Sequence, residues 1–221
     1  MYYQSSGLNL YYEKTGQGKP LILIHGNDED HTIFYEAAGV LASRYTCYLL
    51  DSRGHGESDS VTELHYLDMA EDLIAFMEQN NLEDTAVYGF SDGGIIGLLA
   101  AMRTSRITRL AVSGANMTPE GVVPWLRYLI RGMNLLRPDP KLTLMEEEPH
   151  ITPEELGAIQ AKTLVLAGMH DAVVQEETEL IAASIPDSEL RILPSETHGS
   201  YIVHSRKIGD LLFAWLNRTE S

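Results

Sequence analysis

Residues 89–94 read Gly-Phe-Ser-Asp-Gly-Gly, and this stretch decides how the rest of the chain is interpreted. A strand-like apolar run at 85–88 precedes it, and a helix-like run at 95–102 follows it. The pattern G-x-S-x-G between a strand and a helix predicts a very tight turn with Ser91 at its apex, because only small flanking residues fit there. That turn exposes the hydroxyl beside the N–H groups of a helix N-terminus. Taken alone, the pattern also fits a glycine-rich connection in an ordinary strand–helix unit.

Apolar runs alternate with helix-like segments along most of the chain. Strands are predicted at 8–13, 21–24, 47–50, 85–88, 107–112, 163–167 and 190–193. Helices are predicted at about 31–43, 67–80, 95–102, 175–184 and 204–216. This alternation predicts an α/β fold, with a mostly parallel central sheet and helices on both faces. A length of 221 residues suits one such domain, spanning 1–221.

The alternation breaks between residues 115 and 161. Prolines are frequent in this stretch, and a single helix is predicted there, from about Pro124 to Leu136. The stretch is too short to hold a large core of its own, so we interpret it as an insertion rather than a second domain.

Charge and cysteine content indicate which binding partners are unfavourable and in which compartment the protein is expected. The formal net charge of −16 argues against nucleic acid and against an anionic membrane surface as partners. Cys47 is the only cysteine, so no intramolecular disulfide forms, and its apolar neighbours indicate a buried strand position. No apolar run is long enough to span a bilayer, and the first residues lack a signal-peptide pattern. We therefore expect a cytoplasmic protein.

Three reactive side chains follow separate predicted strands: Ser91, Asp171 and His198. The carboxyl ends of parallel strands meet at one edge of a sheet, where ligands bind. A serine hydroxyl is a poor nucleophile until a base removes its proton, and that base must be oriented by a third group. The prediction is that Ser91 attacks, His198 carries the proton and Asp171 orients the imidazole.

Five motifs in this order resemble the α/β-hydrolase superfamily over nearly the whole chain. They are His25-Gly26, the D-x-R-G-x-G-x-S stretch at 51–58, the serine turn at 89–94, the acid turn at 168–171 and the histidine loop at 197–199. The resemblance implies a serine hydrolase with an oxyanion hole made by the backbone N–H groups of Asn27 and Asp92. It also makes residues 115–161 a small helical lid, shorter than is usual in the superfamily.

Substrate-pocket residues are expected beside this triad and under the lid. The candidates are His25, Met117, Trp125, Leu126, Leu129 and Met133. For each lid residue, packing onto the sheet is the alternative, and for His25 the alternative that we favour is a role in organising its loop.

Other histidines and an acidic run offer rival assignments. His55 lies in a glycine-rich loop and is interpreted as structural, His170 adjoins the acid turn, and His204 is placed on the closing helix. The acidic residues 28–30 raise the alternative of a metal site, but no paired-histidine spacing supports it, and a role at the pocket mouth is preferred. No dinucleotide fingerprint or P-loop is present, so no cofactor is expected.

These observations lead to a small-molecule hydrolase as the functional expectation. The leading hypothesis is a carboxylesterase-type enzyme that forms an acyl-enzyme on Ser91. Serine at this position disfavours haloalkane dehalogenases and epoxide hydrolases, which carry aspartate there. Hydrolysis of a carbon–carbon bond, an aminopeptidase-like reaction and a ligand sensor built on a hydrolase scaffold remain as alternatives.

Overall fold

Eight strands and eight α-helices are present in residues 1–218, the part of the chain that the computed structural model describes. The strands are β1 (Tyr2–Ser5), β2 (Leu8–Gly16), β3 (Lys19–Ile24), β4 (Tyr45–Leu50), β5 (Thr85–Phe90), β6 (Ile107–Ser113), β7 (Lys162–His170) and β8 (Ser188–Thr197). The helices are α1 (Tyr35–Leu41), α2 (Tyr66–Gln79), α3 (Asp92–Ala101), α4 (Pro124–Leu136), α5 (Pro140–Glu147), α6 (Pro153–Leu156), α7 (Gln175–Ser184) and α8 (Arg206–Leu216).

All eight strands belong to one sheet with the order β1-β2-β4-β3-β5-β6-β7-β8. The pairs from β4 through β3 to β8 are parallel, whereas β1 with β2 and β2 with β4 are antiparallel. The carboxyl ends of β3, β5, β6 and β7 therefore meet at one edge, as the sequence analysis predicts for a parallel sheet. The predicted α/β fold with a mostly parallel sheet is confirmed.

Two hydrophobic cores cover the two faces of this sheet. In β3, Ile22 and Ile24 pack into the core that contains α2 and α3, whereas Leu21 and Leu23 pack into the core that contains α1 and α8. Alternate side chains of a strand point to opposite faces, so a strand covered by helices on both sides is apolar at every position. This is why the central strands appear in the sequence as continuous apolar runs.

Several element boundaries differ from the sequence-based expectation. The first strand, β1, lies outside the predicted strands, because its four residues are too few to show a clear alternation of apolar and polar side chains. The last strand continues through Pro194, which is tolerated because β8 lies at the sheet edge and has a partner on one side only. His204 lies in the turn before α8, with φ at 48°, and not on the helix as predicted.

The segment between β6 and β7 contains more helix than expected. The bounds of α4 agree with the prediction, but α5 and α6 were not predicted. Their prolines, Pro140 and Pro153, occupy the first helical turn, where a missing N–H costs nothing. Pro124, Pro140 and Pro153, which interrupt the strand–helix pattern, thus begin helices.

Within 1–218, no helix combines the length and the hydropathy that a bilayer span requires.

Candidate active site

Ser91 forms the whole connection between β5, which ends at Phe90, and α3, which begins at Asp92. Its backbone has φ 53° and ψ −117°, a strained conformation for a residue with a side chain. A Cβ atom on Gly89 would lie 2.0 Å from the carbonyl oxygen of Gly93, and one on Gly93 would lie 2.1 Å from that of Ile24. Both positions therefore require glycine, which explains the small residues around the serine.

The structure brings Ser91, His198 and Asp171 within hydrogen-bonding distance. Ser91 Oγ is 3.1 Å from His198 Nε2, and His198 Nδ1 is 2.6 Å from Asp171 Oδ1. A carboxylate oxygen only accepts, so Nδ1 carries the proton and Nε2 presents its lone pair to the serine hydroxyl. These contacts join residues that are 107 and 27 positions apart in the chain, because all three residues lie at the same edge of the sheet.

Asp171 is held as a carboxylate by several donors. Its Oδ2 accepts a hydrogen bond of 3.0 Å from the N–H of Gly168, and its Oδ1 accepts one of 3.1 Å from the N–H of Val173. Burial raises the pKa of Asp171, but the hydrogen bond and charge of His198 and the two backbone donors outweigh it, so the net pKa is lowered. The group is therefore an anion that can stabilise an imidazolium.

Gly114 leaves the space that the imidazole occupies. It has φ 61°, and a Cβ atom there would lie 2.7 Å from His198 Nδ1. A side chain at this position at the end of β6 would displace the histidine ring. No motif in the sequence marks this requirement.

Asn27 and Asp92, the predicted oxyanion residues, lie on either side of Ser91. Asn27 is in the loop after β3, and a Cβ atom on the preceding Gly26 would lie 3.1 Å from Ser91 Cβ. Asp92 is the first residue of α3, where the backbone N–H has no partner within the helix. Their side chains, which the sequence analysis left without a role, hydrogen-bond each other, with Asn27 Nδ2 2.9 Å from Asp92 Oδ2.

His25 is buried beneath the loop and does not line the cavity, contrary to its place among the pocket candidates. Its Nε2 accepts a hydrogen bond of 3.1 Å from the N–H of Ser52, so Nδ1 carries the proton and donates to the carbonyl of Gly26 at 2.7 Å. Burial, followed by the charge of His55, lowers the pKa of His25 to about 4. The neutral ring thus ties the loop after β3 to the loop after β4, which is the organising role that the sequence analysis favoured.

A cavity of about 330 Å³ opens at Ser91. Its polar end contains Asn27, Glu29, Ser91, Asp92 and His198, and further polar residues that line it are Asp28, Asn116 and Glu148. Its apolar walls come mainly from the segment between β6 and β7 and consist of Val122, Leu126, Leu129, Ile130, Met133, Leu142, Met145 and Val173. One reactive polar end and a long apolar wall suit a substrate with a polar scissile group and an apolar substituent.

The five candidates on the inserted segment divide between the cavity wall and other places. Leu126, Leu129 and Met133 line the cavity. Trp125 does not line it and is 67% exposed, because the spacing of α4 turns residues 126, 129, 130 and 133 towards Ser91 and residue 125 away. Met117 is buried in the core and is likewise absent from the wall.

The acidic run at 28–30 has three separate roles. Asp28 is exposed and pairs with Lys141, whereas Asp30 caps the short helical turn that follows it. Glu29 lines the cavity and accepts a hydrogen bond of 2.9 Å from the N–H of Gly26, and burial raises its pKa. Across residues 1–218, no group of three or more histidine, cysteine or carboxylate side chains is arranged to hold a metal ion.

Tyr66 is a cavity residue that the sequence analysis missed. It begins α2, is almost fully buried and interacts with the carboxyl group of Asp92. Burial raises the pKa of Asp92 to about 6, although the hydrogen bonds from Tyr66 and Asn27 act in the opposite direction. No sequence signal marks this contact, because the aromatic residue at a helix start has no distinguishing pattern.

Because the pKa of Asp92 is raised, the difference in stability between Asp92→Asn and the wild type is expected to depend on pH. The folded protein binds the Asp92 proton more tightly than the unfolded chain does. Ionisation of Asp92 above pH 6 therefore lowers the free energy of unfolding by about 3 kcal/mol. This cost declines as the pH falls from 6 towards 3.8. Asp92→Asn removes this ionisation and keeps an acceptor oxygen. Its free energy of unfolding relative to wild type should increase by about 1 kcal/mol between pH 5 and pH 8. Urea unfolding at both pH values measures this, and an unchanged difference contradicts it.

Comparisons with known proteins agree with this architecture. The chain is 25% identical to the AB hydrolase superfamily protein YisY of Bacillus subtilis, with 95% of this chain and 96% of YisY covered. An esterase from Exiguobacterium antarcticum superposes with a TM-score of 0.82 at 21% identity, covering 98% of this chain and 99% of the esterase. A meta-cleavage product hydrolase from Pseudomonas fluorescens also gives 0.82, at 19% identity and 98% and 97% coverage.

The family itself is identified by a match along more than half of the chain. Residues 19–137 match the family model described as alpha/beta hydrolase fold. This range contains the loop after β3, the serine turn and α4. The chain belongs to the alpha/beta hydrolase family.

Proposed function

We propose that the protein is a serine hydrolase that cleaves small esters through an acyl-enzyme on Ser91. The observation that carries the proposal is the chain of contacts from Ser91 Oγ through His198 to Asp171, at the polar end of a largely apolar cavity. These groups hold the nucleophile, the base and the orienting acid of acyl transfer. We also propose that residues 115–161 form a lid within the hydrolase domain, because α4 and α5 supply much of the cavity wall.

Acylation begins with attack of Ser91 Oγ on the ester carbonyl carbon while His198 Nε2 takes the hydroxyl proton. Asp171 stabilises the imidazolium that results. The carbonyl oxygen becomes an oxyanion, which accepts hydrogen bonds from the backbone N–H groups of Asn27 and Asp92. When the carbon–oxygen bond to the alcohol breaks, His198 returns the proton to the departing oxygen. The acyl group is then bonded to Ser91.

Deacylation repeats these roles with water. His198 Nε2 removes a proton from a water molecule, whose oxygen attacks the acyl carbon and forms a second oxyanion. The bond from the acyl carbon to Ser91 Oγ then breaks, and the proton on His198 moves to Oγ. The products are a carboxylic acid and the free enzyme, so every proton taken up in one step is released in the next.

The cavity favours esters with an apolar substituent of moderate size. Leu129 and Met133 belong to the apolar wall, and the volume of about 330 Å³ lies at the small end of the range for ligand pockets. Esters of short to medium acyl chains therefore fit better than long-chain lipids or large peptides.

Covalent labelling combined with a substrate panel tests the proposal. A fluorophosphonate should form one adduct, located on Ser91 by mass spectrometry of the peptide digest, because this reagent requires an activated serine. p-Nitrophenyl acetate, butyrate and octanoate should be hydrolysed with many turnovers, and the matching p-nitroanilides much more slowly.

Each alternative function predicts a different outcome of these assays. Absence of both the Ser91 adduct and ester turnover would contradict the proposal. A single slow turnover accompanied by altered hydrogen exchange in α4 and α5 would favour a ligand sensor. Hydrolysis of a vinylogous diketone in preference to every ester would identify a carbon–carbon bond hydrolase. Preferential hydrolysis of an amino-acid anilide would identify an aminopeptidase-like enzyme.

A further inference from the structure

We infer that the side chains of Asn27 and Asp92 form a clamp that positions the oxyanion hole and connects it to the lid. The inference rests on the proposed function of Ser91 and assigns positioning roles to two residues whose backbone N–H groups alone enter that mechanism. We call the two side chains, together with the carbonyl group of Lys141, the oxyanion clamp.

The amide group of Asn27 joins three separate segments of the chain. Its Nδ2 donates to Asp92 Oδ2 at 2.9 Å and to the carbonyl oxygen of Lys141 at 3.2 Å. A side-chain amide has two N–H donors, so both are used. One bond reaches the start of α3 across 65 residues, and the other reaches α5 of the lid across 114 residues.

The two proposed oxyanion donors differ in how firmly the fold holds them. The N–H of Asp92 belongs to α3, whose residues are all buried from Asp92 to Ala101. Asn27 lies beyond the end of β3 and directly before Asp28, which has φ 57°. The loop donor is thus the one that needs positioning, and the clamp bonds its side chain to the rigid helix that carries the other donor.

Asp92 is itself fixed, so it can serve as the anchor of the clamp. The residue is buried, with 4% of its surface exposed, and its carboxyl group also interacts with Tyr66 on α2. A hydrogen bond to a carboxyl group in such surroundings is stronger and more directional than one at the surface.

Lys141 contributes to the oxyanion clamp through its backbone carbonyl group more than through the charge of its side chain. The ammonium group also pairs with Asp28 at 2.8 Å, but the Asp28 side chain is 84% exposed. Exposed ion pairs contribute little because water and salt screen them. The carbonyl group of Lys141 lies in the first turn of α5, which Asp139 caps by accepting from the N–H of Lys141. The position of the lid helix therefore determines whether Asn27 finds its second acceptor.

Coupling between the lid and the oxyanion hole follows from this arrangement. When α5 is seated, the Asn27 side chain is bonded both to Asp92 and to Lys141. If α5 moves away, one of the two bonds to Asn27 is lost and the loop at residues 26–28 becomes less constrained. Lid seating thus completes the oxyanion hole as well as the apolar wall.

The test is a double-mutant cycle with Asn27→Ala, Asp92→Ala and the double variant. Each single variant should lower kcat for p-nitrophenyl butyrate by about 10- to 100-fold, with less than about a threefold change in KM, because the clamp acts on the geometry of the transition state. The double variant should be no slower than the slower single variant, since both substitutions break the same contact.

Two further measurements separate positioning from a general loss of structure. The affinity of an alkyl boronic acid, which forms a tetrahedral adduct with the serine, should fall in parallel with kcat. Asp92→Asn should recover most of the rate lost in Asp92→Ala, because it restores an acceptor oxygen and fills the buried site. Asn80→Ala is the matched control: it removes a hydrogen bond at the end of α2, outside the cavity, and should leave kcat unchanged.

Wild-type kcat in folded Asn27→Ala, or full additivity of the two single effects, would overturn the clamp. Failure of Asp92→Asn to exceed Asp92→Ala would also overturn it. These results differ from a failure of the proposed function, which appears in the wild-type protein as the absence of ester turnover and of a Ser91 adduct. Circular dichroism and thermal unfolding establish that each compared variant is folded.

Discussion

Ser91→Ala is expected to abolish ester turnover, lowering kcat by about 10⁵- to 10⁶-fold, because the proposed mechanism has no acyl-enzyme without Oγ. The fold should be retained. Alanine keeps the Cβ atom, so the strain at φ 53° is unchanged, and the N–H of residue 91 still donates to the carbonyl of Ser113 at 2.7 Å. Steady-state rates with p-nitrophenyl butyrate and the thermal unfolding midpoint measure the two effects.

Ser43→Ala is the matched control for this substitution. Ser43 is exposed, and its hydroxyl donates to the carbonyl of Val40 near the end of α1. Its loss should leave kcat and labelling by fluorophosphonate as in wild type. Turnover by Ser91→Ala within tenfold of wild type would instead place the nucleophile elsewhere and reject the proposed function.

Asp171→Asn is expected to lower kcat by about 10⁴-fold, because the orienting acceptor of His198 is lost. The amide has one acceptor atom where the carboxylate has two. If the Asn oxygen replaces Oδ2 and accepts from Gly168, its NH₂ group faces His198 Nδ1 and selects the tautomer with the proton on Nε2. That tautomer presents a proton to Ser91 in place of a lone pair and therefore cannot act as the base.

The opposite orientation of the amide is also unfavourable. If the Asn oxygen replaces Oδ1, its NH₂ group faces the N–H of Gly168 and that buried donor loses its acceptor. A loss of about 1–3 kcal/mol in the free energy of unfolding is then expected. In the first orientation the NH₂ group likewise faces the N–H of Val173, so both orientations cost stability. Urea unfolding measures that cost, and kcat on the same variant shows which orientation is taken, because only the first gives the wrong tautomer of His198.

Asp210→Asn provides the control for the change from carboxylate to amide. Asp210 is exposed on α8, so its substitution should alter neither the rate nor the stability appreciably. An Asp171→Asn variant with a rate within tenfold of wild type and unchanged stability would contradict the orienting role of Asp171.

The local pattern of the chain was sufficient to predict most of the elements and their order, with β1, α5 and α6 as the exceptions. Continuous apolar runs such as 21–24 mark strands covered on both faces, and Gly89 and Gly93 mark a turn that tolerates no Cβ atom. Because parallel strands end at one edge, the strand-end positions of Ser91, Asp171 and His198 were sufficient to predict that they meet. These inferences depend on the spacing of apolar residues, on residue size and on the order of the elements, all of which can be read from a single sequence.

Only the tertiary structure decided which side chains surround Ser91. The same helix places Met133 in the cavity wall and leaves Trp125 exposed, and the choice depends on how α4 is rotated against the sheet. Burial of His25 beneath its loop and the contact of Asn27 with both Asp92 and Lys141 have the same origin. Such contacts join residues far apart in the chain, and their geometry is set by the packing of whole elements, which no local pattern specifies. The serine turn therefore identifies the candidate nucleophile from sequence, whereas the surroundings that would control its chemistry arise from packing.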